Sequence, residues 1–143
     1  MMLIELSSDG FTNLTGVDYS AKSIEFARKI ASDQDHSQIV FREVDILAEE
    51  VDLGSFQIVH DKGTYDAIAL MENAAQHRKT YLKNVTKLVE SYFIITSCNF
   101  TEEELVDSFK EVFIKFELIP SPSFQFGGKK GKTTTSMCFK KIQ

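Results

Sequence analysis

Apolar and polar positions recur along this chain with two periods, and their order lays out a fold. Met1–Leu6 is rich in apolar residues and stops at Asp9-Gly10, as a helix does when a glycine follows its last turn. Leu14-Thr15-Gly16-Val17-Asp18 is short, β-prone and ends in a carboxylate. Ser20 is placed to cap a helix over 21–32, with Ile24, Ala27, Arg28 and Ala31 at helical spacing. Strands are expected over 39–44 and 56–60, each followed at once by an acid, Asp45 and Asp61. A helix over 74–89 would set Tyr81, Leu82, Val85 and Leu88 on one face. Tyr92-Phe93-Ile94-Ile95-Thr96 is the apolar run expected of a strand buried on both faces. Thr101 with Glu104 three residues on begins another helix, reaching about Val112. The closing stretches 116–119 and 134–142 read as strands. Between them lie Pro120, Pro122 and a loop through Gly127-Gly128-Lys129-Lys130-Gly131-Lys132. Two strands with no helix between them pair antiparallel.

The order is α, then β-α-β-β-α-β-α, then β-β. Strands alternating with helices call for an α/β, Rossmann-like, doubly wound and mostly parallel sheet, here with an antiparallel C-terminal hairpin. In such a fold a helix is placed by the strand before it, so the first strand is expected to be missing, ahead of Met1. The 143 residues suit one domain, 1–143. With 43% hydrophobic residues and 12 Phe, the chain has enough bulk for a packed core. No apolar run approaches the ~18 residues of a membrane span. Glu5 and Asp9 come too early for a signal peptide. Cys98 and Cys138 lie far apart, and Cys98 is expected to be a small buried residue. His36, His60 and His77 show no metal-ligand spacing, so no metal is expected. A reduced, cytoplasmic protein that does not meet membranes is the expectation.

Charge changes the picture in one respect. Residues 1–70 carry 5 Lys/Arg against 13 Asp/Glu, a balance of −8, while 71–143 carry 11 against 8, a balance of +3. An acidic front half repels a phosphate backbone and favours a basic partner.

Ligands of open α/β sheets bind outside the carboxyl ends of the strands. Three successive strands end in acid there: Asp18, Asp45 and Asp61. One carboxylate offers two oxygens to two adjacent hydroxyls, which suits a ribose diol. Each acid taken singly is equally suited to a turn or a helix cap.

These residues also resemble a known family. Gly16-Val17-Asp18-Tyr19-Ser20 resembles the G-x-D-x-S motif of class I methyltransferases, and Val44-Asp45-Ile46 resembles the motif after their third strand. Asp61-Lys62-Gly63-Thr64-Tyr65-Asp66 resembles the D-K-G-T-[FY]-D signature of lysine methyltransferases in this fold. Thr96-Ser97-Cys98-Asn99-Phe100-Thr101 and Pro122-Ser123-Phe124-Gln125-Phe126-Gly127-Gly128 are similar to segments of the family that methylates translation elongation factor 1-alpha. The resemblance covers nearly the whole chain and implies S-adenosyl-L-methionine as cofactor and a protein-lysine N-methyltransferase acting as a monomer. It implies that Asp18 and Tyr19 meet the ribose side and that Asp45 and Ile46 flank the adenine. The family's glycine-rich strand and turn, which lets backbone approach the cofactor, would precede Met1. A chain of the same fold without activity, or a non-catalytic binding module, is the alternative expectation. No glycine interrupts Leu88–Phe93, so the loop before that strand is expected to be short.

Methyl transfer to lysine needs the amine in line and neutral, and deprotonation at pH 7 costs about 4–5 kcal/mol from the ordinary lysine pKa of about 10.4. An acid beside the entrance binds the ammonium and relays its proton. Asp61 is the first candidate, at the cofactor edge as well, and Asp66 the second, with helix capping its other reading. Lys62, Tyr65, Thr96, Asn99 and Phe100 are the substrate-side candidates, and Thr96, Ser97 and Asn99, which follow the buried strand, are suited either to the site rim or to capping the helix entry. Tyr65 and Phe100, with Tyr19, would wall an aromatic lysine channel. Base methylation is disfavoured, because Asp61-Lys62-Gly63-Thr64 lacks the prolines and stacking aromatic of an N-P-P-Y or D-P-P-Y motif.

Overall fold

A computed structural model describes residues 1–120 and 134–143, together with the backbone of 124–126 and 129–131. The chain divides into two compact units, Met1–Val51 and Asp52–Gln143.

In the first unit, α1 (Met2–Ser8) ends at Asp9, with Gly10 at a φ of 100°. The Gly10 N–H donates to the Ser7 carbonyl at 3.1 Å and the Phe11 N–H to Leu6 at 3.1 Å. This pair of bonds satisfies the last carbonyls of the helix, and glycine is the residue that reaches the required φ without strain. Strand β1 (Thr15–Asp18) pairs in parallel with β2 (Val40–Glu43), and α2 (Ala21–Asp33) links them. Ser20 caps α2, accepting from the Ser23 N–H at 3.3 Å. Ile4, Ile24, Ala31, Ile39 and Phe41 form the core. Arg28 leaves the apolar stripe of α2 to donate to the Phe41 carbonyl at 2.7 Å. A Cβ on Gly16 would stand 2.8 Å from Leu3 Cδ1 and 2.9 Å from Phe41 Cδ1, so any side chain there would make Leu3 of α1 and Phe41 of β2 shift.

The second unit holds β3 (Phe56–Lys62), α3 (Thr64–Ala69), α4 (Ala74–Leu88), β4 (Val89–Ser97), α5 (Glu102–Phe109), β5 (Phe113–Ile119), β6 (Phe124–Phe126), β7 (Lys129–Gly131) and β8 (Thr135–Lys141). The main sheet runs β3-β4-β8-β5, with β3 parallel to β4 and β8 antiparallel to both neighbours. Strands β6 and β7 form a small ladder of their own within the stretch expected as a loop, while Pro122, Gly127, Gly128 and Lys132 lie outside the described residues. The architecture is α/β as expected. The expected antiparallel C-terminal pair is β5–β8, and the main sheet is mixed, because β8 inserts between β4 and β5 and contributes two antiparallel pairings beside the parallel β3–β4 pair.

One face of this sheet carries the core of the unit. Phe93, Phe113 and Phe139 pack ring on ring with Phe109 of α5, at centroid separations of 5.2–6.4 Å. On α4 the buried residues are Tyr81, Asn84, Val85 and Leu88. Asn84 takes the inward place expected of Leu82, since 81, 84, 85 and 88 follow the helical repeat and 82 stands about a sixth of a turn outside the nearest of them. The other face is not buried as expected: Tyr92, Ile94 and Thr96 are half-buried and Ile58, Ile114 and Phe116 exposed. Helix α5 stops at Phe109, short of Val112, because Phe113 already belongs to β5. Helix α4 passes into β4 with no intervening loop. The Lys141 ammonium from β8 donates to the carbonyls of Thr86 and Val89 at 2.9 and 2.8 Å, taking the place of a glycine cap at that junction.

Candidate active site

The first unit presents two carboxylates at the carboxyl ends of its adjacent parallel strands. Asp18 closes β1 and Asp45 follows β2, and both are exposed. Each folds back on its own backbone: Asp18 Oδ1 accepts from the Ser20 N–H at 2.8 Å, and Asp45 Oδ1 from the Leu47 N–H at 2.9 Å. These local turns orient the acids and leave the capacity of each Oδ2 outside the turn. Tyr19, at 80% exposed, and half-buried Ile46 sit directly beside them in sequence. Two oriented acceptors with neighbouring apolar surface fit a ribose diol and an adenine ring, the groups expected here. The fit concerns chemistry and exposure within this unit.

The acids of the second unit are arranged differently. Asp61 lies inside β3 rather than after it, because β3 continues along β4 through Asp61–Ile95 and Lys62–Thr96. Its side chain is 8% exposed and takes three donors. Oδ1 accepts from the Thr64 N–H at 2.9 Å, while Oδ2 accepts from the Tyr65 N–H at 3.0 Å and from the buried Tyr81 hydroxyl of α4. Asp61 thereby caps α3. Gly63, the residue before that helix, is held at a φ of 89° and has no side chain to do so. Burial pushes the Asp61 carboxyl above the ordinary carboxylate range, and the Tyr81, Thr64 and Tyr65 donors oppose that shift. Burial, then the adjacent Asp61 charge, holds the Tyr81 phenol well above its ordinary value.

Asp66 does not cap a following helix. It stands in the first turn of α3, 8% exposed. Its Oδ1 accepts from the Ser97 hydroxyl at 2.5 Å and its Oδ2 from the Cys98 N–H at 2.8 Å. Cys98 is exposed, contrary to expectation, because β4 ends at Ser97 and the thiol falls in the turn beyond. Tyr65, expected to wall a channel, is 3% exposed. Its ring packs against Tyr81, Phe100 and Phe109 at 5.2, 5.0 and 5.2 Å, so it belongs to the core. Lys62 and Asn99 are exposed and Phe100 half-buried. Thr96 is half-buried in a polar row: its hydroxyl lies 3.0 Å from His60 Nε2 and 3.0 Å from Ser136 Oγ. Burial lowers the pKa of His60, against the pull of Asp61.

A family model described as a methyltransferase domain matches residues 2–136. The chain belongs to this methyltransferase-domain family. It is similar to EEF1A lysine methyltransferase 2 of Mus musculus, at 41% identity over 99% of this chain and 59% of that protein. It is also similar to protein-lysine N-methyltransferase EFM4 of Saccharomyces cerevisiae, at 36% identity over 98% of this chain and 65% of that protein. The chain thus spans about three fifths of the length of the curated relatives it matches. Among solved structures, a SAM-dependent methyltransferase of Methanosarcina mazei superposes with a TM-score of 0.75 over 98% of this chain and 86% of that chain. At 15% identity it shares the fold.

Within this methyltransferase domain, reading the sequence alone missed the Tyr81–Asp61 contact and the short helix α3, while Ser97, expected at the site rim or as a cap at the helix entry, is buried and receives the N–H groups of Asn99 and Phe100. Tyr81 was legible as an apolar-face residue of α4, while its contact with Asp61 spans 20 residues of sequence. The Thr-Ser-Cys-Asn segment did carry a signal, since a hydroxyl ending a buried strand must find a partner.

Proposed function

We propose that this chain is the catalytic domain of a protein-lysine N-methyltransferase that uses S-adenosyl-L-methionine and acts on translation elongation factor 1-alpha. The observation that carries this reading is the identity of about 40% with the mammalian relatives over nearly the whole chain. The cofactor, when bound, supplies a methyl group on a sulfonium. Asp18 accepts from the ribose hydroxyls with Tyr19 beside it, and Asp45 and Ile46 border the adenine. Asp61 is the catalytic candidate. Two donors occupy its Oδ2 and one its Oδ1, so the remaining acceptor capacity for a lysine ammonium or its proton is on Oδ1. Lys62, exposed at the last position of β3, and Asn99 and Phe100, exposed and half-buried beyond the end of β4, meet the substrate, with Thr96 at the rim. The buried ring of Tyr65 backs Phe100 and does not itself make the channel wall. The two unpaired thiols suit a reducing cytoplasm, where the chain works as a monomer.

The test is incubation of the purified chain with S-adenosyl-L-methionine and elongation factor 1-alpha, read by mass spectrometry of the digested substrate. A gain of methyl mass on one lysine, abolished by a Lys-to-Arg change there, is the expected result. Transfer to nucleic acid, or none to protein, would overturn the reading.

A further inference from the structure

Residues 98–100, a turn that carries the substrate-side candidates Asn99 and Phe100, have their backbone N–H groups received by two side chains from separate elements. Ser97 ends β4 at 1% exposure. Its hydroxyl donates to Asp66 Oδ1 at 2.5 Å and accepts from the N–H groups of Asn99 and Phe100 at 3.2 and 3.0 Å. Asp66 Oδ2 receives the third N–H, that of Cys98, at 2.8 Å. The Phe100 ring adds a contact with Tyr65, the neighbour of Asp66 on α3, at 5.0 Å. A buried carboxylate is a costly way to hold a turn, since removing its charge from water must be offset by donors on both oxygens. Once both are satisfied, the network admits one geometry where an apolar contact would admit several.

We propose that Asp66 and Ser97 are positioning residues, which set the backbone of 98–100 in the shape that receives the lysine-bearing segment of the substrate. The inference rests on the proposed function for its substrate, and on hydrogen bonding alone for the geometry. Asp66 connects this turn to the Asp61 end of the unit, because the α3 turn that carries it hangs from the Asp61 carboxylate. The substrate turn and the candidate catalytic acid therefore share one short helix.

The test compares the full chain with Ser97→Ala, Asp66→Asn and the double variant, using amide exchange, substrate KM and cofactor affinity. Exchange at Asn99 and Phe100 is expected to rise by about tenfold, with the amides of α4 unchanged. The KM for elongation factor 1-alpha should also rise about tenfold, while kcat and cofactor affinity shift by less than about twofold. The double variant should be little worse than either single one, as for groups acting through one network. Should Ser97→Ala fail to fold, Asp66→Asn carries the same readouts, and Ser97→Thr, which keeps the hydroxyl, should restore the KM. Unchanged exchange at 99 and 100 would overturn the proposal, as would parallel losses in KM and cofactor affinity. If the unaltered chain transfers no methyl group to the factor, the function reading fails, and the exchange measurement alone decides whether these residues hold the turn.

Discussion

The candidate acids of the two units look alike in sequence and differ in burial and in the range of their partners. Asp18 and Asp45 are exposed, and each accepts from a backbone N–H two residues along. Asp61 and Asp66 are 8% exposed and bond across elements, to α3, α4 and the end of β4. The first pair is oriented while keeping acceptor capacity toward solvent, as a ligand contact requires. The second pair has most of its capacity committed to the protein, as an architectural group requires. Such an acid therefore declares its duty through the range of its partners rather than through its place in a motif.

The sharpest way to break this contrast is to remove Asp61. Asp61→Ala leaves the Tyr81 hydroxyl and two backbone N–H groups without their acceptor, and should cost about 3 kcal/mol of stability in urea unfolding. A loss below about 1 kcal/mol would remove the architectural reading of Asp61. In the first unit the strand end is held by packing instead. Gly16→Ala would drive a methyl into Leu3 and Phe41, and should cost about 2 kcal/mol, read the same way.

A smaller effect separates the donors on Asp61. Its raised folded-state pKa means that the folded chain holds this proton more tightly than the unfolded chain does. The stability it contributes is fully present below the ordinary Asp value near 3.8 and is lost as pH climbs through the raised value. Tyr81→Phe removes a donor that lowers this pKa, so the loss should extend to higher pH, with about 1 kcal/mol less stability at neutrality. Unfolding midpoints measured from acid to neutral pH would show the widened window, and superimposable profiles would contradict it. The smallest structural effect is expected at Asp18. Asp18→Ala should move the thermal midpoint by no more than about 3 °C, since only a surface turn is lost.

The elements with local signals were legible in the sequence. Ser20 and Thr101 do cap α2 and α5, and Lys141 supplies what the glycine-free junction at Leu88–Val89 lacks. Helix α3 was not legible, because it has six residues, begins after a glycine and draws its cap from Asp61, inside the preceding strand. The insertion of β8 between β4 and β5 is a tertiary choice without a local mark. For the candidate site, the identity of the acids could be read, while the burial that divides them into two kinds could not. Tyr65 and Cys98 exchanged their expected places for the same reason: the exact end of β4 and the inward turn of α3 decide which side chain is covered.

The contrast is tested most directly by calorimetric titration of S-adenosyl-L-methionine into the chain, into Asp18→Ala and into Tyr81→Phe. Asp18→Ala should lose at least about tenfold in affinity with its fold intact, whereas Tyr81→Phe should bind within about threefold of the unaltered chain despite its lower stability. Undiminished binding by Asp18→Ala, or no binding by the unaltered chain, would contradict the assignment of the exposed acids to the cofactor.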